Sequence, residues 1–208
     1  MSSNIPRISQ AEMPHELATF LSPRVKRLGY LGEFFQCTAH QPEALLSFLK
    51  FTEHLKHALP NNLTEVVALS VSRLMDNAYE RVQHERLSLK LGFSREWLAE
   101  VLSFSEDGHG YMSEPERLVQ LLAIRMIRRG GHQTAPEFEA VTQAIGVAPS
   151  IAVLMLVGRY MSHALIVNTL NLAPPVPPLS AAHSAAPSSP DHAFADDTYA
   201  ESTEEKHS

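Results

Sequence analysis

An all-α body is what this sequence predicts, and three observations predict it. Apolar residues recur at helical spacing in nearly every segment up to Leu172, no segment sustains the period-two alternation of a strand, and helix-start and helix-stop residues separate the segments. With 208 residues and 44% hydrophobic content, the chain can bury one sizeable core. The expected division is an N-terminal arm over 1–19, one helical domain over 20–172 and a tail over 173–208.

The first strong element runs over 41–59, with Pro42 in its first turn, apolar positions at Leu45, Leu46, Phe48, Leu49 and Leu55, and a stop at Pro60. From 61 to 92 the spacing predicts one long central helix. Asn62 opens it three residues before Glu65, a capping-box spacing, and Gly92 closes it. Ser94 caps a short helix over 94–104, and "SEDGHGYM" (105–112) reads as a loop. Ser113 and Glu116 repeat the capping-box spacing before a helix that ends at Gly130. Helices over 136–146 and 150–172 complete the set. Beyond Ala173 the chain is rich in Pro, Ser and Ala and then acidic. Such a stretch buries too little apolar area to offset its ordering entropy, and it is predicted to be disordered.

Charge and cysteine content exclude several functions. The net charge is −6, but Asp191, Asp196, Asp197, Glu201, Glu204 and Glu205 crowd the tail against a single Lys206, so the body is close to neutral. No basic face is evident, which argues against a nucleic-acid partner. Arg125, Arg128 and Arg129 sit where cations favour a helix C-terminus. Cys37 is alone, which rules out a CxxC pair or an intrachain disulfide and fits a reducing, cytoplasmic setting. The N-terminus lacks the apolar stretch of a secretion signal. The most apolar run, 151–167, carries Arg159 and His163 and is shorter than the ~20 residues of a bilayer span. It reads as a buried core helix, and no membrane association is expected.

On the central helix, Arg73, Asn77, Glu80 and His84 fall within a sector of roughly 60°. Val66 and Leu69 continue that sector on one side, Leu87 and Leu91 on the other. This pattern fits a polar pocket cut into a buried face. The opposite side (Val67, Val71, Met75, Ala78, Val82, Leu89) is also apolar and could be the core-facing surface, leaving the polar stripe solvated. Periodicity leaves both readings open.

Glu65, Asn77, Glu80 and His84 stand in the register of a Glu-x11-Cys-x2-Cys-x3-His signature, with Asn77 and Glu80 at the cysteine positions. In this the chain resembles the alkylhydroperoxidase D-like proteins. It is still more similar to their carboxymuconolactone decarboxylase branch, whose members lack the cysteines and often carry a Glu four residues before the His, as in "YERVQHERLSLKLGFS" (79–94). "AHQPEALLSFLKF" (39–51) resembles that family's first helical hairpin and "GRYMSHALIVNTLNL" (158–172) its closing helix. The resemblance covers roughly residues 20–172. It implies an alkylhydroperoxidase D-like helical bundle, a small-molecule substrate and a homo-oligomer, a trimer or a hexamer.

Decarboxylation of a carboxylated, enolisable lactone needs no cofactor if the electrons left by CO2 spread onto a conjugated carbonyl. The protein must then stabilise the resulting oxyanion and deliver a proton. His84 and Glu80 are the expected acid/base pair, one helical turn apart. Asn77 could donate to the oxyanion, and Arg73 could anchor a carboxylate bidentately. Glu65 is expected either as a relay behind His84 or as a cap carboxylate alone. Tyr160 and His163 read as a core residue with a satisfied hydroxyl and a polar tip at an interface. A Glu-x3-His pair supplies only two metal ligands, so no metal is expected. Two alternatives stay open: a thiol-dependent peroxidase, for which Cys37 is the sole sulfhydryl, and a catalytically silent scaffold of the same fold.

Overall fold

The computed structural model describes residues 4–104 and 110–179, and among these every regular element is a helix. In chain order they are α1 (His15–Leu28), α2 (Glu33–Thr38), α3 (Pro42–His57), α4 (Asn61–Leu74), α5 (Ala78–Lys90), α6 (Arg95–Ser103), α7 (Glu114–Arg129), α8 (Ala135–Ile145) and α9 (Val147–Thr169). The caps expected at Ser94 and at Ser113 with Glu116 are present. Ser94 accepts from the Trp97 amide, and Glu116 accepts from both the amide and the hydroxyl of Ser113. Gly130 ends α7 in the left-handed region, at φ 60°. The other oxygen of Glu116 accepts from Trp97 Nε1 and Asn62 Nδ2, so one carboxylate ties α4, α6 and α7 together.

Three boundaries differ from the sequence reading. Within the expected arm over 1–19 the chain is helical from His15, because Met13, Leu17 and Leu21 bury against Phe34, Leu45 and Leu49. The expected long helix over 61–92 breaks at 75–77. Asp76 adopts φ 49°, a left-handed conformation that Asp tolerates better than most residues, and the Asn77 side chain accepts from the Glu80 amide to start α5. The Asn-x-x-Glu spacing at 77–80 is itself a helix-start signal, masked by apolar spacing that runs through the break. The first residues of the tail expected to be disordered, 174–179, lie against the body. Val176 and Leu179 pack against the body, and Arg86 donates to the Pro177 carbonyl at 2.9 Å. The remainder of the tail, from 180, and residues 105–109 of the expected loop lie outside the described residues.

α4 is the axis of the fold. Every residue from Leu63 to Ser72 is buried, because α5, α6, α7 and α9 pack around it. A helix apolar on two sides is thus covered on both. Leu69, Val66, Val101, Val119, Leu122, Val153 and Leu156 form the centre of one cluster. Leu17, Leu21, Phe34, Leu45 and Leu49 form a second, joined to α5 and α9 through Tyr79 and Val167. By length and composition α9 could cross a membrane, but half of its most apolar stretch is buried against the other helices, as in a core helix.

Candidate active site

The break at 75–77 creates the site. In one straight helix Glu65 and His84, nineteen positions apart, would lie about 28 Å from each other at 1.5 Å per residue. Because the chain turns at Asp76 and α5 packs back on α4, Glu65 Oε2 sits 2.8 Å from His84 Nδ1 and also accepts from Ser88 at 3.3 Å. Glu65 is inside α4, not a cap, since the N-cap is Pro60. Of its two expected roles, the cap is excluded, and the side chain lies behind His84.

The other ring nitrogen of His84 faces two groups. Tyr160 Oη lies 3.2 Å from Nε2, and Glu80 Oε2 lies 3.5 Å away. The second oxygen of Glu80 is 3.2 Å from both Arg159 and His163 Nε2. Arg159 continues through Nε to Thr52 at 2.9 Å, while its guanidinium stacks 4.3 Å from the centre of the Tyr160 ring. His163 Nδ1 faces Asn77 Nδ2 at 3.4 Å. α3, α4, α5 and α9 thus converge on one hydrogen-bonded network.

The network is charged and buried. Burial alone would push His84 down, but Glu65, by charge and hydrogen bond, and then Glu80 raise it to about 9, so the ring is an imidazolium near neutrality. Burial would raise Glu80, yet His163, His84 and Arg159 hold it well below the usual carboxylate range. His163 goes the other way, lowered to about 4, chiefly by burial. It is therefore neutral near pH 7, donating to Glu80 through Nε2–H and accepting from Asn77 through Nδ1. Burial raises the Tyr160 phenol, which stays protonated.

Beside this network lies a cavity of about 440 Å³, walled by α1, α2, α3, α5, α9 and the 176–179 segment. Glu80, His84, Tyr160 and His163 line it. So do six cationic side chains, Arg24, Arg27, Lys56, Arg86, Lys90 and Arg159, against the single carboxylate of Glu80. Burial lowers both Lys56 and Arg24 from their usual values, first among several causes. A cavity with this charge excess suits a small anion. Among the described residues no group of three or more His, Cys, Asp or Glu side chains is placed to hold a metal ion.

The expected site is partly rearranged. His84 and Glu80 line the cavity, with Glu65 hydrogen-bonded behind His84. Arg73 does not. It is exposed on the last turn of α4, its guanidinium 5.2 Å above the Phe104 ring, because the break ends the shared helical sector before it reaches the pocket. Asn77 is buried at 1% exposure but spends its side chain on the α5 amide and His163 and does not line the cavity. Arg159 holds the place expected for Arg73. The signal for it was a charge inside an apolar run, which has to find a partner when buried. Tyr160 and His163, expected as ordinary core and interface residues, belong to the site. Cys37 is buried in the second cluster, away from the cavity, with its thiol pushed up by burial.

Residues 42–123, which carry Glu65, Glu80 and His84, match the Carboxymuconolactone decarboxylase family. Among solved structures, an uncharacterised peroxidase-related protein from Ralstonia eutropha with an alkylhydroperoxidase AhpD core superposes with a TM-score of 0.72 at 15% identity, over 84% of this chain and 93% of that one. The debrominase Bmp8, as a cysteine-to-alanine variant in complex with 2,3,4-tribromopyrrole, gives 0.71 at 12% identity over 83% and 92%. An Agrobacterium tumefaciens protein of unknown function, linked to AhpD-type antioxidant defence, gives 0.59 at 16% over 67% and 96%. At these identities the structures share the fold alone. No curated protein matches the chain significantly. The chain thus has an AhpD-like helical fold, and the segment that carries Glu65, Glu80 and His84 is similar to the Carboxymuconolactone decarboxylase family.

Proposed function

We propose that the cavity is the active site of a cofactor-independent acid/base enzyme acting on a small, anionic, enolisable substrate, with decarboxylation as the reaction class. One observation carries this reading: His84 stands in the cavity wall with Nδ1 fixed on Glu65 and Nε2 facing Tyr160 and Glu80, which line the same chamber. Such a ring is oriented and charged before any ligand arrives. Arg159 and Lys56, with Arg24, would neutralise the substrate's carboxylates in a low-dielectric chamber.

In the proposed reaction the carbon–carbon bond to the carboxylate breaks and CO2 departs, leaving the electron pair on the substrate. That pair spreads onto a conjugated carbonyl as an enolate, which the cations stabilise. A proton originating on His84 then closes the reaction at carbon, and His84 regains one from solvent. Glu65 keeps the ring in one orientation throughout and stabilises its charged form. Thiol chemistry has no support from the residues lining the cavity, since none is a cysteine.

The test is a panel of small carboxylated lactones, β-keto acids and unsaturated dicarboxylates, followed by CO2 release and ultraviolet loss of substrate. Turnover by the native protein and none by His84→Ala is the expected result. Equal, background-level signals for both across the panel, together with no thermal shift from any of these anions, would remove the reading.

A further inference from the structure

We propose that Tyr160 is the catalytic residue that passes the proton to the substrate, with His84 restocking it. This rests on the acid/base reading above and deepens it by naming the terminal donor. The Tyr160 side chain is 2% exposed yet lines the cavity, and among the described residues its hydroxyl has one hydrogen-bond partner, His84 Nε2 at 3.2 Å. Its ring is held edge-on to the imidazole, with centroids 5.3 Å apart at 83°, and the Arg159 guanidinium covers its face. A phenylalanine would satisfy those ring contacts equally well. The hydroxyl is what they do not explain.

Proton counting gives it a role. Glu65 is a pure acceptor when ionised, so the His84 hydrogen bond to it uses Nδ1–H. When His84 is charged, Nε2 also carries a hydrogen, which faces the phenol oxygen at 3.2 Å and Glu80 Oε2 at 3.5 Å, and toward that N–H the phenol can only accept. A phenol that accepts from an imidazolium must aim its own hydrogen elsewhere, and the cavity is the side on which it lines open space. The O–H therefore points where a substrate carbanion or enolate would form. Transfer then runs in one direction: the Tyr160 hydrogen moves to the substrate, the Nε2 hydrogen moves to the phenol oxygen, and His84 ends neutral. No tyrosinate is left, which suits a phenol that burial keeps from ionising.

The same geometry makes the donor switchable. Once His84 loses its Nε2 hydrogen, that nitrogen becomes an acceptor, and the phenol turns its O–H back toward the ring. The groups that set this equilibrium are Glu65 from α4, Glu80 from α5 and Arg159 and His163 from α9, with Lys56 of α3 and Arg24 of α1 along the same wall.

The experiment uses 4-nitrophenolate as a stand-in for an enolate oxygen and follows its absorbance on binding to the full chain, from about pH 8 to about pH 10, on either side of the His84 value. Native protein should bind it and weaken as pH rises past about 9. Tyr160→Phe should bind about tenfold more weakly, as expected for losing a hydrogen bond to a charged acceptor, and should keep only the smaller pH step that the loss of the His84 charge itself produces. Circular dichroism and the melting temperature of Tyr160→Phe establish that it is folded. Equal affinity and an equal pH step in both proteins would overturn the role of Tyr160 while leaving the anion-binding cavity in place. Failure of the native protein to hold nitrophenolate at any pH would overturn both. With a turnover substrate, Tyr160→Phe should lower kcat by about 10²–10⁴. A change in KM alone would assign Tyr160 to binding and overturn the proton transfer.

Discussion

Glu65 and His84 meet at 2.8 Å across two helices, although only the turn at Asp76 separates those helices in the chain. The pairing fixes which nitrogen of His84 faces Tyr160 and Glu80, and it holds a Glu65 side chain that is only 2% exposed. Removing one partner of such a buried pair leaves the other uncompensated.

Glu65→Gln is therefore expected to cost both activity and stability. It should lower kcat by about 10²–10⁴ by releasing the ring, and lower the unfolding free energy by about 3 kcal/mol, at the small end of the cost of breaking a buried pair. Denaturant melts beside steady-state kinetics measure the two separately. A variant with native stability and native kcat would show that the pair is idle.

The two buried histidines predict a bounded pH window of stability. His84 rises from 6.5 to about 9 on folding, so its contribution is complete below pH 6.5 and disappears as pH climbs through about 9. His163 falls from 6.5 to about 4, so between those values the unfolded chain binds a proton that the native chain refuses, and stability drops as pH falls. Melting temperatures across pH 4 to 10 should decline on both sides of the 6.5 reference value. His84→Gln should flatten the alkaline side and leave the acid side standing.

How much of this was legible in the sequence depends on how far apart the cooperating residues lie. The helices announce themselves through local spacing and through caps at Ser94, Ser113 with Glu116, and Gly130, because those signals act within one turn. His84, Glu80 and Glu65 were legible because their register is carried by one continuous stretch. Arg159, Tyr160, Lys56 and Arg24 were not, since they come from α9, α3 and α1, and nothing local says which face of each helix will meet α5. Arg73 was misplaced for a related reason: a projection of 61–92 as one helix cannot represent the turn at Asp76.

Exchanging the two arginines separates the projection from the structure. Arg159→Met should raise KM at least tenfold, as expected for removing a charged hydrogen-bonding partner, and should also free Glu80 and Thr52. Arg73→Ala, which removes an exposed cation–π contact, should leave kcat and KM unchanged and alter stability by about 0.5–1 kcal/mol at most. A KM effect from Arg73 with none from Arg159 would reverse the assignment.

Self-association is expected through α9. Val147, Ile151, Met155 and Leu165 are 66%, 44%, 46% and 57% exposed and share one face at helical spacing. An apolar stripe of this kind is a candidate for covering by a second copy of the chain, in keeping with the trimer or hexamer the family resemblance implies. Light scattering should give a multiple of 23.1 kDa at micromolar concentration, and Ile151→Glu should reduce it. A monomer at every concentration would rule the association out.

The last prediction concerns where the chain can be cut. Composition predicts that everything after Ala173 is dispensable, but Val176 and Leu179 form part of the cavity wall and Arg86 holds the Pro177 carbonyl. Four prolines, at 174, 175, 177 and 178, restrict the unfolded segment, so laying it across the cavity costs less backbone entropy than an ordinary strap would. Removing 180–208 should leave the melting temperature unchanged. Removing 174–208 should lower it by several degrees: two partly buried apolar side chains and one charge-assisted hydrogen bond are together worth about 1–3 kcal/mol, and each kcal/mol moves the melting temperature of a chain this size by about 2–4 °C. The shorter protein should also bind 4-nitrophenolate faster, because one wall of the cavity is gone. Identical melting temperatures and binding rates for the two truncations would show that the 174–179 segment contributes nothing to the body or to access.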